Sequence, residues 1–260
     1  MGNIALSIGD AAIGYRNGKS VTPVVTAINA TLRAGEVVAL IGTNGAGKST
    51  LLRTLSAFQP PLSGKVEFPA GDIAKLSPGE LAKSVSIVLT ENNFATLTVR
   101  ELVSLGRTPY TNFLGHLTGE DKAIVAAAME RMGVLHFAER EVATLSDGEK
   151  QKCLIAKAIA QQTPLMLLDE PTAFLDFRSK VQLFRTLRDL CTESGKAVVV
   201  STHDIEMALR FADKLWLVFD GRLHEGSAHE LAADGLLQRF VDGDGIVYDK
   251  VNNRIEITQI

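Results

Sequence analysis

One nine-residue stretch constrains the fold of this chain more than any other: Gly42-Thr43-Asn44-Gly45-Ala46-Gly47-Lys48-Ser49-Thr50. It follows an apolar run, residues 37–41, and precedes residues 51–55, whose pattern indicates the start of a helix. Three glycines let the backbone turn tightly and direct successive N–H groups at phosphate oxygens. Lys48 adds a positive charge for the β- and γ-phosphates, and Ser49 offers a hydroxyl to Mg²⁺. An ordinary glycine-rich turn would not need this Lys-Ser pair, so the stretch predicts a phosphate-binding loop.

The length and composition of the chain indicate one large α/β domain. Its 260 residues can enclose a substantial core, and no linker, repeat or low-complexity tract divides them. The apolar runs are strand-sized, far below the ~20 residues that cross a bilayer, and residues 1–10 carry no basic and apolar leader. We therefore expect the protein in the cytoplasm, and a net charge of −3 gives no electrostatic reason to expect nucleic acid. Cys153 and Cys191 lack metal-ligand spacing and are expected to be buried free thiols.

The alternation of strand and helix patterns predicts a mainly parallel sheet with a helical insertion. Residues 3–9 alternate polar and apolar side chains, and residues 24–32 continue a strand-rich pattern. The helix after the phosphate-binding loop is expected to end near Pro60-Pro61. Residues 98–160 have helical spacing, and strands then alternate with helices up to residue 219. This order favours a parallel sheet with helices on both faces, into which the helical block is inserted.

Two apolar strands lead into polar residues that suit nucleotide chemistry. Residues 165–168 lead into Asp169 and Glu170. Ligands bind beyond the carboxyl ends of the strands in an open parallel sheet, so this pair is expected beside the phosphate-binding loop. Asp169 suits Mg²⁺ coordination, directly or through water, and Glu170 suits polarising an attacking water. Residues 198–200 lead likewise towards His203, which could sense the γ-phosphate or help to hold the water.

The segment Leu145-Ser146-Asp147-Gly148-Glu149 precedes a helical run and supports two interpretations. Ser146 with Glu149 three residues later is the pattern of a helix capping box. The same helix end could instead bind a phosphate, because unpaired N–H groups and the helix dipole attract anions. The two interpretations are compatible in position, although Asp147 and Glu149 would repel a phosphate unless they point away.

Six motifs in this chain resemble, in order and spacing, those of ATP-binding cassette (ABC) ATPases. Residues 42–50 resemble the Walker A loop, residues 165–170 the Walker B strand with its catalytic glutamate, and residues 145–149 the LSGGQ signature. Residues 172–176 resemble the D-loop, His203 the switch histidine and Tyr15 the aromatic that stacks on adenine. The resemblance implies an α/β P-loop NTPase parallel sheet with an N-terminal antiparallel β subdomain and an inserted helical subdomain. It implies a single ABC ATPase domain over residues 1–260, with the insertion at about 98–160 and a C-terminal extension at about 220–260.

The resemblance also implies ATP and Mg²⁺ as ligands and assigns residues to them. Catalysis would use Glu170 and His203, and Mg²⁺ would be held by Ser49, Asp169 and Thr90. Two copies would meet head to tail and share each ATP. The nucleotide would contact Tyr15, Gly42, Thr43, Asn44, Gly45, Ala46, Gly47, Lys48, Ser49 and Thr50 of one copy and Ser146, Gly148 and Glu149 of the other.

A narrower resemblance rests on residues 98–110, Thr98-Val99-Arg100-Glu101-Leu102-Val103-Ser104-Leu105-Gly106-Arg107-Thr108-Pro109-Tyr110. This segment is similar to the one that follows the Q-loop in importers of ferric siderophores, haem and cobalamin. It implies a peripheral subunit at the cytoplasmic face of the inner (plasma) membrane, two integral membrane permease subunits docked near residues 90–110, and indirectly a substrate-binding protein. The alternatives are a cassette of another ABC transporter class, a soluble assembly factor and a degenerate cassette that barely hydrolyses ATP.

Two departures from the family pattern bear on the expected mechanism. Where the Q-loop glutamine should stand, the sequence reads Leu89-Thr90-Glu91-Asn92, so Thr90 or Glu91 would supply the oxygen ligand. Asp147 replaces the first glycine of the signature and Glu149 replaces its glutamine. Both departures concern the strength of nucleotide-driven closure rather than the fold.

The C-terminal tail carries an Asp/Gly run at residues 242–245. Such a run can indicate Ca²⁺, but no further acidic ligands follow at the spacing of a calcium loop. We therefore expect two short strands joined by Asn252-Asn253.

Overall fold

A ten-stranded sheet carries most of the fold. The structure is a computed structural model, and it describes residues 3–18, 20–89, 96–112, 115–243 and 245–257. Within these residues the strands of the sheet are β1 (Ile4–Asn17), β2 (Ser20–Arg33), β3 (Val37–Gly42), β4 (Ser63–Phe68), β5 (Gly71–Asp72), β6 (Val85–Val88), β7 (Leu165–Leu168), β8 (Ala197–Ser201), β9 (Lys214–Phe219) and β10 (Arg222–Gly226). Their order across the sheet is β5-β4-β1-β2-β10-β9-β3-β8-β7-β6. A separate antiparallel pair consists of β11 (Ile246–Asp249) and β12 (Arg254–Ile257).

Helices connect and cover these strands. In chain order they are α1 (Lys48–Leu55), α2 (Pro78–Ser84), α3 (Val99–Ser104), α4 (Gly119–Arg131), α5 (Asp147–Ala160), α6 (Phe177–Ser194), α7 (Ile205–Phe211), α8 (Ala228–Ala233) and α9 (Leu236–Val241). Short 3-10 helices lie at Leu105–Tyr110, Leu135–Phe137 and Val142–Thr144. No helix in the described part of the chain is long and apolar enough to cross a membrane.

The parallel half of the sheet brings three strand ends to one edge. β9, β3, β8, β7 and β6 run parallel, and Val200 of β8 lies between Ala39 of β3 and Leu168 of β7. Every residue of these three strands is buried. Val198 and Val200 pack with residues of α4, α5 and α6, whereas Val199 on the other face packs with α1 and the antiparallel strands. The second face is therefore covered by a helix together with the antiparallel strands.

The antiparallel half of the sheet forms the predicted N-terminal β region. β5, β4, β1 and β2 pair antiparallel in that order. β10 joins this half to the parallel half, because it pairs along its length with β9 and meets β2 where Arg222 lies opposite Thr26. The amide of Thr26 also donates to the carbonyl of Gly221 at 3.0 Å. Among the described residues this is a narrow backbone connection between the two halves.

The helical block between β6 and β7 is held together by a buried ion pair. Arg107 Nε donates to Asp121 Oδ1 at 2.8 Å, and both side chains are 7% exposed. Arg107 also donates to the carbonyl of Ala160, so it ties a 3-10 helix and α4 to the end of α5. Next to it, a Cβ on Gly106 would lie 2.3 Å from the carbonyl oxygen of Lys157. Close packing of this helix pair therefore requires glycine at position 106.

Local features elsewhere match the sequence with one exception. α1 ends at Leu55, before the two prolines, because Ala57 adopts a left-handed φ of 59° that a continuing helix cannot contain. The expected C-terminal strand pair is present as β11 and β12, and Tyr248 of β11 packs into the cluster that contains Leu209 of α7. Both cysteines are buried free thiols, as expected.

Candidate active site

The phosphate-binding loop leaves β3 and enters α1 through residues that must be glycine. Gly47 has a φ of 109°, and a Cβ there would lie 2.7 Å from Val24 Cγ1. Gly45 has a φ of 77°, a conformation that other residues rarely adopt. Gly47 is also the N-cap of α1. Among the described residues, which include all of α1, no side chain caps the N-terminal end of this helix. The N-terminal end of α1 is therefore open to an anion.

The buried side chain of Lys48 lies folded over the loop. It is 6% exposed, and its Nζ donates to the carbonyls of Gly42 at 2.9 Å and Thr43 at 3.2 Å. Burial lowers the pKa of Lys48, while the nearby carboxylates of Glu170 and Asp169 raise it to a smaller extent. Because burial removes water from this ammonium group, a ligand with several negatively charged oxygens would strongly stabilise its charge.

The two predicted carboxylates follow β7 and are fixed differently. Asp169 is 5% exposed, its amide donates to the carbonyl of Val88 at 2.8 Å, and its Oδ1 accepts from the hydroxyl of Ser201 at 2.7 Å. Glu170 has a left-handed φ of 47°, and its amide donates to the same Ser201 hydroxyl at 2.8 Å. The sequence analysis did not single out Ser201. The sequence signal for it was a polar residue directly after the apolar run 197–200 and two residues before His203.

His203 and Glu170 meet beyond the carboxyl ends of neighbouring strands. Nε2 of His203 lies 2.6 Å from Oε1 of Glu170, and both side chains are partly exposed. Such a pair can hold a water molecule and accept its proton, which is the chemistry of a general base with an orienting partner.

A cavity of about 240 Å³ gathers the loop, the aromatic residue and the general-base candidate. The hydroxyl of Tyr15 lies 3.0 Å from Thr50 Oγ1, and the Tyr15 side chain is half exposed. The cavity is lined by Tyr15, Val24, Asn44, Gly45, Gly47, Lys48, Ser49, Thr50 and Glu170. These residues therefore border one space that can accept a nucleotide.

The donor set beside this cavity fits Mg²⁺. Ser49 and Asp169 present a hydroxyl and a carboxylate, the hard oxygen ligands that Mg²⁺ prefers. Among the described residues, no group of three or more His, Cys, Asp and Glu side chains is arranged to hold a metal by itself. A Mg²⁺ ion here would thus share its coordination with phosphate oxygens and water. Thr90, the third predicted ligand, lies outside the described residues.

The segment from Ser146 to Glu149 borders a different cavity of about 390 Å³, next to residues 174–176. The capping box is present, because Glu149 Oε2 accepts from the amide of Ser146 at 2.8 Å and from its hydroxyl at 2.7 Å. These bonds lower the pKa of Glu149. Asp147 is paired with Lys150 at 3.3 Å. The capping interpretation is correct, and the predicted nucleotide contacts Ser146, Gly148 and Glu149 do not share a cavity with the phosphate-binding loop of their own chain.

The family model described as ABC transporter matches residues 25–173, more than half of the chain. The chain belongs to the ABC transporter family. An uncharacterized ABC transporter ATP-binding protein of Methanocaldococcus jannaschii is 42% identical over 80% of this chain and 70% of its own length. The iron(3+)-hydroxamate import ATP-binding protein of Bacillus subtilis is 36% identical over 96% of this chain and 93% of its own length. The cobalamin import ATP-binding protein of Halobacterium salinarum is 40% identical over 80% of this chain, which spans only 52% of that protein.

Solved structures of ABC proteins share the fold. One described as a metal-chelate type ABC transporter, in an inward-facing conformation, matches with a TM-score of 0.77 and 29% identity, over 92% of this chain and 89% of that one. A dimeric ATP-binding cassette in a post-hydrolysis state, bound to ADP and Pi, matches with a TM-score of 0.76 and 28% identity, over 85% of this chain and 98% of that one. The predicted ABC ATPase fold and enzyme class are thereby confirmed.

Proposed function

We propose that this ABC transporter ATPase is the ATP-hydrolysing subunit of an importer for an iron chelate, such as a siderophore or haem, or for cobalamin. The cavity that the phosphate-binding loop shares with Glu170, paired with His203, carries the hydrolytic part of the proposal. The relatives named as iron(3+)-hydroxamate and cobalamin import proteins support the substrate class.

In the proposed function the phosphate-binding loop holds the triphosphate, Glu170 acts on the attacking water and Asp169 acts on Mg²⁺. The N–H groups of the loop and the ammonium of Lys48 hold the β- and γ-phosphates. Glu170 accepts a proton from the attacking water, and His203 keeps its carboxylate in place. Ser49 and Asp169 would hold Mg²⁺, which neutralises phosphate charge when bound. The half-exposed ring of Tyr15 offers a face on which adenine can stack.

The separation of the two cavities supports a head-to-tail homodimer. The loop borders one cavity, whereas Ser146 and Gly148 border the other. A second copy facing the first would place its Ser146 helix end over the triphosphate. The Glu149 carboxylate is not free to point at the triphosphate, because it accepts hydrogen bonds from the backbone amide and the hydroxyl of Ser146. The acid in place of the family glutamine is therefore compatible with such a dimer.

A third cavity, of about 510 Å³, supports docking of two membrane permease subunits near residues 90–110. Its lining is largely apolar and includes Phe58, Leu81, Ile87 and Leu89. Phe58 is 66% exposed. α2, which lines the cavity, also places Lys83 Nζ 5.5 Å from the ring centroid of Tyr110. This surface would hold the chain at the cytoplasmic face of the inner membrane, and a substrate-binding protein would act through the permease.

The proposal retains one ABC ATPase domain over residues 1–260, with an inserted helical subdomain at about 98–160. The buried contacts of Arg107 with Asp121 and Ala160 support treating that block as a unit. The C-terminal extension at about 220–260 packs on α7 and β9 through Leu231, Leu237 and Tyr248.

Hydrolysis by purified variants tests the enzymatic part. We expect Glu170→Gln to lose at least about 100-fold in kcat, the range of a general base, while it still binds ATP. Glu130→Gln changes an exposed glutamate of α4 and serves as the matched control. A Glu170→Gln protein that hydrolyses ATP near the wild-type rate would contradict the general-base assignment.

Coexpression tests the transport part independently. We expect the chain to sediment with membranes only when genes for its permease subunits are coexpressed. Binding should weaken for Phe58→Ser, which changes the exposed aromatic of the apolar cavity, and should persist for Phe177→Ser, which changes an exposed aromatic elsewhere. A chain that stays in the supernatant in every case would exclude the importer assignment and leave the ATPase assignment intact.

A further inference from the structure

The hydroxyl of Ser201 lies between the two acids of the candidate active site. Ser201 is fully buried at the end of β8. Its hydroxyl donates to Asp169 Oδ1 at 2.7 Å and accepts from the amide of Glu170 at 2.8 Å. One side chain thus contacts the candidate magnesium ligand and the backbone of the candidate general base.

A serine hydroxyl has one proton to donate, so the direction of this chain of hydrogen bonds is fixed. The Glu170 amide can only donate, which leaves the hydroxyl proton for Asp169. Oδ1 of Asp169 is therefore turned towards Ser201, and its second carboxylate oxygen is the one that can serve a cation. Loss of the hydroxyl would release the Asp169 carboxylate to rotate.

The backbone of Glu170 depends on the same hydroxyl. Its φ of 47° is a conformation that a non-glycine residue keeps only where the surroundings hold it. The preceding amide, of Asp169, donates to the carbonyl of Val88 in the neighbouring strand, whereas the amide of Glu170 has left this strand pairing and donates to Ser201. In the turn that follows, the amide of Ala173 donates a hydrogen bond to the carbonyl of Glu170. Ser201 thus fixes the point at which the chain turns Glu170 towards His203.

We propose that Ser201 is a positioning residue for ATP hydrolysis, which orients Asp169 for Mg²⁺ and holds Glu170 in the conformation that meets His203. This inference rests on the proposed function. His203 lies two residues after Ser201. This part of the chain therefore contacts the Glu170 side chain through His203 and the Glu170 backbone through Ser201.

The test compares Ser201→Ala with Ser86→Ala, because Ser86 is also a buried strand serine whose hydroxyl makes a buried hydrogen bond, at 2.9 Å with Thr163. We expect Ser201→Ala to reduce kcat by about 10–100-fold with little change in KM, as removal of a residue behind a metal ligand does. With a non-hydrolysable ATP analogue, Mn²⁺ affinity measured by electron paramagnetic resonance should fall by a similar factor, whereas affinity for the analogue without metal should not change. Ser86→Ala should leave all three quantities near the wild-type values.

A measurement without nucleotide separates this inference from the proposed function. In the nucleotide-free protein, amide hydrogen exchange at Glu170 should become at least about 10-fold faster in Ser201→Ala and stay unchanged in Ser86→Ala. Ser201→Thr retains the hydroxyl and should restore slow exchange and most of the Mn²⁺ affinity. Unchanged exchange and Mn²⁺ affinity in Ser201→Ala, or equal losses in both alanine variants, would overturn the inference. Absence of ATP binding by the wild-type protein would instead overturn the proposed function.

Discussion

His203 Nε2 lies 2.6 Å from Glu170 Oε1, across the carboxyl ends of two adjacent parallel strands. The Glu170 carboxylate is thus held in one orientation by a residue that follows the next strand. In the proposed function the imidazole would act by holding the carboxylate, so its removal should change kcat rather than affinity.

The first prediction concerns His203→Ala. We expect kcat for ATP hydrolysis to fall at least about 10-fold, because Glu170 loses the partner that orients it, while ATP affinity changes by less than about 2-fold. Steady-state ATPase kinetics and equilibrium binding of a fluorescent ATP analogue measure the two quantities. His116→Ala, which removes an exposed histidine, provides the control. An equal loss of affinity in His203→Ala would mean that His203 contacts the ground-state nucleotide.

The second prediction concerns Lys48→Ala. The buried ammonium of Lys48 donates to two loop carbonyls, and in the proposed function it would donate to phosphate oxygens. Losing a charged hydrogen bond of this kind costs about 1.5–3 kcal/mol, which corresponds to roughly 10–150-fold weaker binding. Isothermal calorimetry with ATP in the absence of Mg²⁺ gives the value directly. Lys75→Ala removes a lysine whose side chain is 81% exposed and should bind as the wild type does.

The third prediction concerns the buried Arg107–Asp121 pair. Hydrogen bonds from Thr118, together with Arg107, lower the pKa of Asp121 to about 2. A carboxyl group with a depressed folded-state pKa adds stability that is present above its unfolded value near 3.8 and is lost as the pH falls towards 2. Asp121→Asn should therefore flatten the fall in unfolding free energy between pH 4 and 2, as followed by urea denaturation.

A matched substitution tests the same pair at neutral pH. Arg107→Met leaves Asp121 buried without its cation, whereas Arg239→Met breaks the exposed pair with Asp220. Exposed pairs contribute about 0–1 kcal/mol. We expect Arg107→Met to lower the denaturation midpoint clearly more than Arg239→Met, and equal midpoints would show that the buried pair adds nothing to the stability of the helical block.

The fourth prediction concerns Lys196, which is buried at the start of β8 and donates to the carbonyl of Thr163. Burial lowers its pKa from 10.5 to about 8. Between pH 8 and 10.5 this lysine binds more protons in the unfolded chain than in the folded protein. It therefore makes the protein more stable as the pH rises through this range. The contribution is at most about 1.4 kcal/mol per pH unit.

The measurable quantity is the difference between the wild type and Lys196→Met. Burial raises the pKa of both thiols, Cys153 and Cys191, to about 12, and these groups make the protein less stable as the pH rises above 9. Both proteins share this effect. Subtracting the two curves of unfolding free energy should leave a rise between pH 8 and 10.5, and a flat difference would show that Lys196 titrates normally in the folded protein.

Much of the site could be predicted because its parts are local in sequence. The phosphate-binding loop needs glycines at fixed positions for steric reasons. Asp169 directly follows the apolar run 165–168 and His203 lies three residues after the run 197–200, and both runs have the length of a buried strand. The capping box of Ser146 and Glu149 is also a local pattern, and the structure contains it.

The parts that could not be predicted depend on contacts between distant segments. Ser201 acquires its contacts with the acids only because β8 lies beside β7 in the sheet. The end of α1 depends on the left-handed backbone of Ala57 rather than on the prolines that follow. The second face of the sheet is shared by α1 and the antiparallel strands, which periodicity alone does not reveal.

The two halves of the sheet both contribute to the candidate nucleotide site. Tyr15 lies on β1 in the antiparallel half of the sheet, and Lys48 follows β3 in the parallel half. Among the described residues, strand pairing between the halves is limited to the contact of β10 with β2, where Arg222 lies opposite Thr26 and the Thr26 amide donates to the Gly221 carbonyl. The helix α1 joins the halves a second time, because Leu51, Leu52 and Leu55 pack in the same buried cluster as residues of β1 and β2, and the Tyr15 hydroxyl lies 3.0 Å from Thr50 Oγ1. A displacement of either half would therefore be transmitted through the helix that begins at the phosphate-binding loop.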